Sequence, residues 1–277
     1  MCESFDPERP LSETVFAVFD VETTGLSPAY GHRVCEVACL RLRSGEVVAC
    51  FESLVDPERP ISAGAFRVNR ITAEMLNGAP PFSDIVPRLL ETMSDAVLVA
   101  HNAPFDLGFL AAELEIAQAP PPEGAVIDTL TLVRRIYNFG RNSLSAVSSA
   151  LGLEEGSVHR AVGDVWTTCQ LLERLLWDLE RRWGVVTLGQ LFDFQGGPIA
   201  YPQPQVLPLP PPLAEALERR GRVRMRYVDA RGRETERLVR PLRVHGRRGH
   251  LYLIAHCYQA QALRTFRLDR VLELGED

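Results

Sequence analysis

Seven prolines fall within the eighteen residues QGGPIAYPQPQVLPLPPP, positions 195–212. Proline has no backbone N–H and a fixed φ, so neither a helix interior nor a central strand runs through such a stretch. It reads as a semi-rigid, extended linker. The expected organisation is two domains, with limits of 12–194 for the first domain, 195–212 for the linker and 213–277 for the second.

Charge divides at the same place. Residues 213–277 carry 15 Arg against 9 acidic residues, a net of +6, whereas residues 1–212 carry 15 Arg against 27 acids, a net of −12. Every basic residue is Arg; there is no Lys. A small basic domain beside a larger acidic one is a candidate nucleic-acid contact, although charge alone fits a solvated Arg-rich surface equally well. At 46% hydrophobic and 24% charged residues the composition is that of a soluble globular protein. No apolar run reaches the ~18 residues of a membrane span. The opening MCESFDPERPLSE is too acidic and polar for a signal peptide. The expectation is a cytoplasmic protein, without a membrane partner, whose six scattered cysteines are free thiols.

Before the prolines, strand-like and helix-like patterns alternate. Strands are expected at 15–20, 34–42, 47–55, 96–100 and 125–128, and helices at 82–92, 104–115, 130–136, 144–151 and 163–182. Three strands followed by alternation argue an α/β domain, a mixed sheet with flanking helices. After the prolines, residues 222–274 hold short strand-like runs broken at 229–232 and 246–249, the pattern of a small all-β barrel or sandwich.

The apolar run VFAVF at 15–19 ends in two carboxylates, Asp20 and Glu22, within FDVETTGL. Burying ionised carboxylates without partners costs several kcal/mol. Strand alternation puts both on one face if the strand continues through them. Thr23, Thr24 and Gly25 then turn the chain, so oxygen ligands meet backbone N–H groups at a strand end, and a hard divalent cation would stabilise the cluster. The stretch LVAHNAPFDLGFL at 98–110 repeats the design, with Asp106 at a helix start and Phe105 before it as an apolar plate for stacking on a base. The third piece is HRAVGD at 159–164. Asp164 opens a long helix whose apolar face runs Val165, Cys169, Leu172, Leu176 and Leu179. His159 falls in the preceding loop, free to swing over the site. Taken singly, Asp106 and Asp164 read as helix N-caps; four carboxylates at strand ends and helix starts, with a His before the last, are more than capping produces.

FDVETTG, HNAPFD and HRAVGD resemble the three motifs of the DEDDh exonucleases, the DnaQ-like 3′→5′ exonuclease family, over about residues 14–183. The resemblance implies a ribonuclease H-like fold with a five-stranded mixed sheet. It implies that Asp20, Glu22, Asp106 and Asp164 bind two divalent metal ions, Mg²⁺ or Mn²⁺, and that His159 is the general base. It further implies that Thr23, Thr24 and Leu26 hold the terminal nucleotide, with Leu26 wedged against its base. VNRITAEML at 68–76 also matches, with Asn69-Arg70 where the family often has His-Gly. Two metals ~3.5–4 Å apart stabilise both the attacking and the leaving oxygen at phosphorus, and a His of pKa ~6.5 suits proton removal from water near neutrality.

The basic half resembles a WYL domain, an SH3- or Sm-like β-barrel. The matching features are Tyr227, Arg240-Pro241, the LYL at 251–253 (Leu251 replacing the name-giving Trp) and RTFRLDR at 264–270. The resemblance implies a patch that binds nucleic acid or a nucleotide-like ligand, with Tyr227, Arg240, His250, Tyr252, Arg264, Arg267 and Arg270 as candidates. Arg suits phosphate through its bidentate fork. The expected activity is release of nucleoside 5′-monophosphates from DNA 3′ ends, single-stranded DNA first, in repair or processing, with polymerase or repair proteins as partners. The alternatives are an RNA-processing exonuclease, a polymerase proofreading subunit, and a nucleic-acid sensor that uses the nuclease fold as scaffold.

Overall fold

The computed structural model describes residues 6–25, 28, 32–154, 160–201, 209–229, 232–247 and 250–276. They form two compact units, one ending at Tyr201 and one starting at Leu209 among the described residues.

The first unit is built on strands β1 (Val15–Thr23), β2 (Val34–Arg43), β3 (Glu46–Leu54), β4 (Val97–Ala100) and β5 (Val126–Asp128). Their order is β3-β2-β1-β4-β5. β1–β2 and β2–β3 are antiparallel; β1–β4 and β4–β5 are parallel. This is the expected mixed five-stranded sheet. The helices are α1 (Ala63–Asn69), α2 (Phe82–Met93), α3 (Ala103–Ile116), α4 (Thr129–Ile136), α5 (Leu144–Leu151), α6 (Ala161–Trp183) and α7 (Leu188–Gln195).

Alternation along β1 sorts its side chains onto two cores. Phe16 and Val18 join Ala38, Leu40, Val99 and Ile127 on the face covered by α4, α6 and α7. Ala17, Phe19 and Val21 join Val37, Cys39 and Leu98 on the face covered by α2 and α3. Both faces are apolar, which is why the strands read as near-continuous hydrophobic runs. β1 runs past its expected end through both carboxylates. Asp20 and Glu22 thus share the parity of Phe16 and Val18 and point to the α6 side.

The ends of the proline-rich stretch are docked on the two units. Gln195 is buried, accepts the Asp128 N–H at 2.8 Å and donates to the Val126 and Gly197 carbonyls at 3.1 and 2.8 Å. Ile199 and Tyr201 pack on the first unit, and Leu209 packs in the second. The middle of that stretch, 202–208, lies outside the described residues.

The second unit opens with α8 (Pro211–Glu218) and continues through β6 (Val223–Val228), β7 (Glu234–Arg247), β8 (His250–Cys257), β9 (Ala262–Arg267) and β10 (Val271–Glu276). These strands form one antiparallel sheet, β10-β6-β7-β8-β9. No ladder joins β9 to β10 among the described residues. The five strands are the expected all-β body of residues 222–274; α8 precedes them, and its Leu213 and Ala216 pack on Val223, Met225, Val239, Leu253 and Phe266. Pro241 lies in the middle of β7, where the register shifts against β8 between Pro241 and Arg243; a bulge is where a strand tolerates proline.

The five described cysteines are free. No helix among the described residues is long and apolar enough to cross a membrane. All three tryptophans lie on α6 and are exposed: Trp166 at 46%, Trp177 at 50% and Trp183 at 44%. Arg174 and Arg181 lie 5.5 and 4.7 Å from the Trp177 ring centroid, and Arg182 lies 4.5 Å from that of Trp183.

Candidate active site

Asp20 and Glu22 stand on β1, and Asp164 stands in the first turn of α6, facing them. One carboxylate oxygen from each of the three lies within 4.8 Å of the other two. α6 comes this close because Ala161, Val165, Cys169 and Leu172 pack on the same sheet face. Asp106 reaches the site from the opposite face, on α3. It is buried, and its Oδ1 accepts the Val21 N–H at 3.1 Å, between the two strand carboxylates in sequence. The four motif carboxylates therefore split into a group of three and a fourth hydrogen-bonded to the strand that carries two of them.

Electrostatics sets the chemistry of this cluster. Burial, then Asp164 and Glu36, pushes the Asp20 carboxyl up to about 8. Burial, then Asp20, Asp164 and Glu36, pushes Glu22 up to about 9, against an opposing hydrogen bond from Asn69. Asp106 is also raised, by burial and then by Asp20, with the Val21 N–H pulling it back. Without a counter-charge, Asp20 and Glu22 retain protons at neutral pH. An all-oxygen donor set that cannot ionise alone fits hard divalent cations.

The turn after β1 is fastened from several sides. The Thr23 hydroxyl donates to the Gly25 carbonyl at 2.7 Å. The Thr24 Oγ1 accepts the Arg33 N–H at 3.0 Å and meets the His32 Nδ1 at 3.1 Å. Both threonine hydroxyls are thus engaged within the turn. A Cβ on Gly25 would come within 2.3–2.5 Å of the His32 ring, so the close approach requires glycine. Arg33 bonds Glu113 of α3 through two contacts of 2.8 Å, and Glu113 also accepts the Val34 N–H at 2.9 Å. Phe105 is partly buried and packs on Phe109 at 5.1 Å between centroids. Leu26 and His159 lie outside the described residues.

Several polar groups outside the three carboxylate motifs support the site. Buried Asn69 donates to the Thr23 carbonyl at 3.2 Å. Asp128 accepts the N–H groups of Asn102 and Ala103 at 2.8 and 3.1 Å, where α3 begins. Glu36, opposite Glu22 in the β1–β2 ladder, accepts from Arg160 and from the Ala161 N–H at 3.0 Å. The only sequence signal for Glu36 was a lone acid inside an apolar strand.

In the second unit the candidate patch divides between the two faces of the sheet. Tyr227 lies on the α8 side, edge-on to Phe266 at 5.1 Å, and its hydroxyl accepts the Arg267 N–H at 3.3 Å. Tyr252 lies on the other face, stacked on His245 at 5.3 Å. Register puts Arg240, opposite His256, and Arg267, opposite Tyr252, on that outer face. Arg264 shares the parity of Phe266, and Arg270 sits in the short turn Leu268–Arg270. The His250 side chain lies outside what is described.

The mixed β3-β2-β1-β4-β5 sheet, with Asp20 and Glu22 at the end of its central strand and Asp106 and Asp164 on flanking helices, is the arrangement of the exonuclease fold. Residues 17–172 match the exonuclease family (RNase_T), and residues 209–275 match the WYL domain. The chain belongs to the exonuclease family and carries a C-terminal WYL domain. Among curated relatives, the PolC-type DNA polymerase III of Listeria monocytogenes is 34% identical over 197 residues, covering 71% of this chain and 14% of the polymerase. That of Bacillus subtilis is 36% identical over 195 residues, covering 70% of this chain and 13% of the polymerase. The chain thus spans about one-seventh of the length of these relatives. Exonuclease X, solved in complex with 5′ overhanging duplex DNA, is 28% identical with a TM-score of 0.52, covering 65% of this chain and 99% of that one. The zinc-bound Escherichia coli ExoI–ssDNA complex shares the fold, at 17% identity and a TM-score of 0.55 over 87% of this chain and 54% of that one.

Proposed function

We propose that the protein is a metal-dependent 3′→5′ exonuclease that releases nucleoside 5′-monophosphates from DNA, single-stranded ends preferred, in repair or processing. The observation that carries the reading is the convergence of Asp20, Glu22 and Asp164 within 4.8 Å, with Asp106 buried against the same strand. Asp20, Glu22, Asp106 and Asp164 would hold two divalent cations, Mg²⁺ or Mn²⁺. When bound, the cations supply positive charge at the scissile phosphate and at the attacking and leaving oxygens. The protein's own groups do the rest. The four carboxylates fix where that charge sits. His159 takes the proton from the attacking water. The turn at Thr23 and Thr24, with Leu26 and Phe105, receives the terminal nucleotide. DNA is favoured as substrate because relatives of this chain are DNA polymerases and Exonuclease X was solved with DNA. The WYL domain grips nucleic acid through its arginines, Arg240 and Arg267 foremost.

The test is a time course on matched single-stranded DNA, duplex DNA and RNA, each end-labelled, with Mg²⁺, Mn²⁺ or EDTA. Stepwise loss of monophosphates from the 3′ end, abolished by EDTA, is expected. Asp20→Ala and Asp164→Ala are expected to lower the rate by at least 10³-fold while keeping the wild-type circular dichroism. Full activity of either variant at saturating metal overturns the site assignment. The likeness to PolC-type polymerases favours one second reading, a proofreading factor bound to a polymerase. Co-purification with a polymerase distinguishes it.

A further inference from the structure

We infer that Glu36 and Arg160 are positioning residues that set the separation between the strand carboxylates and Asp164. The inference rests on the reading that Asp20, Glu22 and Asp164 hold divalent cations.

The first N–H groups of a helix have no partner within the helix. Arg160, at the N-cap of α6, offers no side-chain cap. The partner comes instead from another strand: Glu36 Oε2 accepts the Ala161 N–H at 3.0 Å, across 125 residues of chain. The same carboxylate holds the Arg160 guanidinium, with Nε at 3.0 and 3.1 Å from its two oxygens and Nη2 on Oε1. Glu36 is only 5% exposed. One buried side chain therefore fixes both the side chain and the following N–H of the residue that starts α6. A charged acceptor at this end also complements the helix dipole.

Both ends of this link reach the site. Glu36 stands directly opposite Glu22 in the β1–β2 ladder, so the two share a sheet face. The Asp164 N–H donates to the Arg160 carbonyl at 3.0 Å, so Asp164 rides on the turn that Glu36 anchors. The path Glu22–Glu36–Arg160–Asp164 runs from a strand carboxylate of the cluster to its helix carboxylate. Glu36 also adds a negative charge beside Asp20 and Glu22, and Arg160 offsets it. α6 is 23 residues long and has its own apolar face on the sheet, so the helix itself does not depend on this contact. What depends on it is where the first turn sits.

The experiment uses the full chain. Mn²⁺ affinity by calorimetry and steady-state cleavage kinetics are measured for wild type, Arg160→Gln, Arg160→Lys, Glu36→Gln and the Glu36→Gln/Arg160→Gln double variant. Thr187→Ala, which removes the N-cap of α7, serves as a control for lost stability alone. Arg160→Gln and Glu36→Gln are expected to weaken Mn²⁺ binding about 10-fold or more and to lower kcat with little change in KM. Arg160→Lys, which keeps charge but not the fork, is expected to recover part of the loss. The double variant is expected to bind no worse than the worse single one. Wild-type Mn²⁺ affinity in folded Arg160→Gln and Arg160→Lys, or a loss no greater than that of Thr187→Ala, overturns the inference. Asp20→Ala separates the two readings. If it keeps wild-type Mn²⁺ affinity, the metal site itself is wrong and the inference falls with it. If it loses Mn²⁺ while the Arg160 variants do not, the inference alone falls.

Discussion

Asn69 engages the turn with both ends of its amide. Its Nδ2 donates to the Thr23 carbonyl, and its Oδ1 accepts the Ile71 N–H at 3.2 Å. The residue after it, Arg70, adopts the left-handed conformation at φ 57°, where glycine carries no Cβ penalty. Asn69→Ala is expected to leave two buried groups unpaired and to cost about 1–3 kcal/mol, read as a lower urea midpoint with an unchanged m-value. A loss under about 0.5 kcal/mol would show that water replaces the amide at no penalty. Residues of this kind were hard to see in the sequence. Asp20, Glu22, Asp106 and Asp164 were legible because four carboxylates at element ends make a pattern. Asn69 and Glu36 act through partners distant in the chain, and nothing in a single sequence marks which polar residue of an apolar segment will meet another. Even so, the pattern did not foretell that Asp106 would bond the Val21 backbone apart from the other three.

Among the elements, α3 and α6 carry the helix-borne carboxylates, and each starts on an acid from a neighbouring strand. Asp128, at the end of β5, accepts the Asn102 and Ala103 N–H groups and also that of Leu130 at 3.2 Å, while its Oδ2 accepts the Thr131 hydroxyl at 2.6 Å. Asp128→Ala is expected to orphan several of these donors at once and to destabilise by about 3–5 kcal/mol. The same variant is expected to lower kcat beyond its effect on the folded fraction, because Asp106 rides on α3. Equal kcat per folded molecule would limit Asp128 to stability. The long elements were legible from periodicity: each expected strand and each expected helix has its counterpart. The short helices α1, α7 and α8 were not. α7 did carry a signal, the capping box of Thr187 and Gln190. α8 carries proline at its first turn, which suits a helix start, but Pro211 and Pro212 also continue the proline run of the linker.

For the whole molecule, the raised carboxyls tie stability to pH and to metal. Between the ordinary carboxylate range near ~4 and the folded values of about 8 for Asp20 and about 9 for Glu22, the folded protein holds protons that the unfolded chain has lost. Stability from these groups is full below the lower limit and is lost as pH rises through the upper one. In EDTA the Tm is expected to fall by roughly 5 °C or more from pH 5 to pH 9, and Mn²⁺ at pH 8 is expected to restore it; equal Tm values with and without metal at pH 8 would contradict this. At the other unit, replacing Arg240 and Arg267 with Ser is expected to weaken DNA binding and flatten the log Kd–log salt slope by about one per residue removed. An unchanged slope would exclude that face from the phosphate contacts. The tryptophans add a last consequence. With all three on α6, the tryptophan fluorescence of this protein is the signal of a single helix. Its emission is expected to be red-shifted and open to iodide quenching in the native state, and to change when α6 moves. The WYL domain contains tyrosines but no tryptophan, so a melt followed by tryptophan emission, excited beyond the tyrosine band, is expected to return the stability of the nuclease unit.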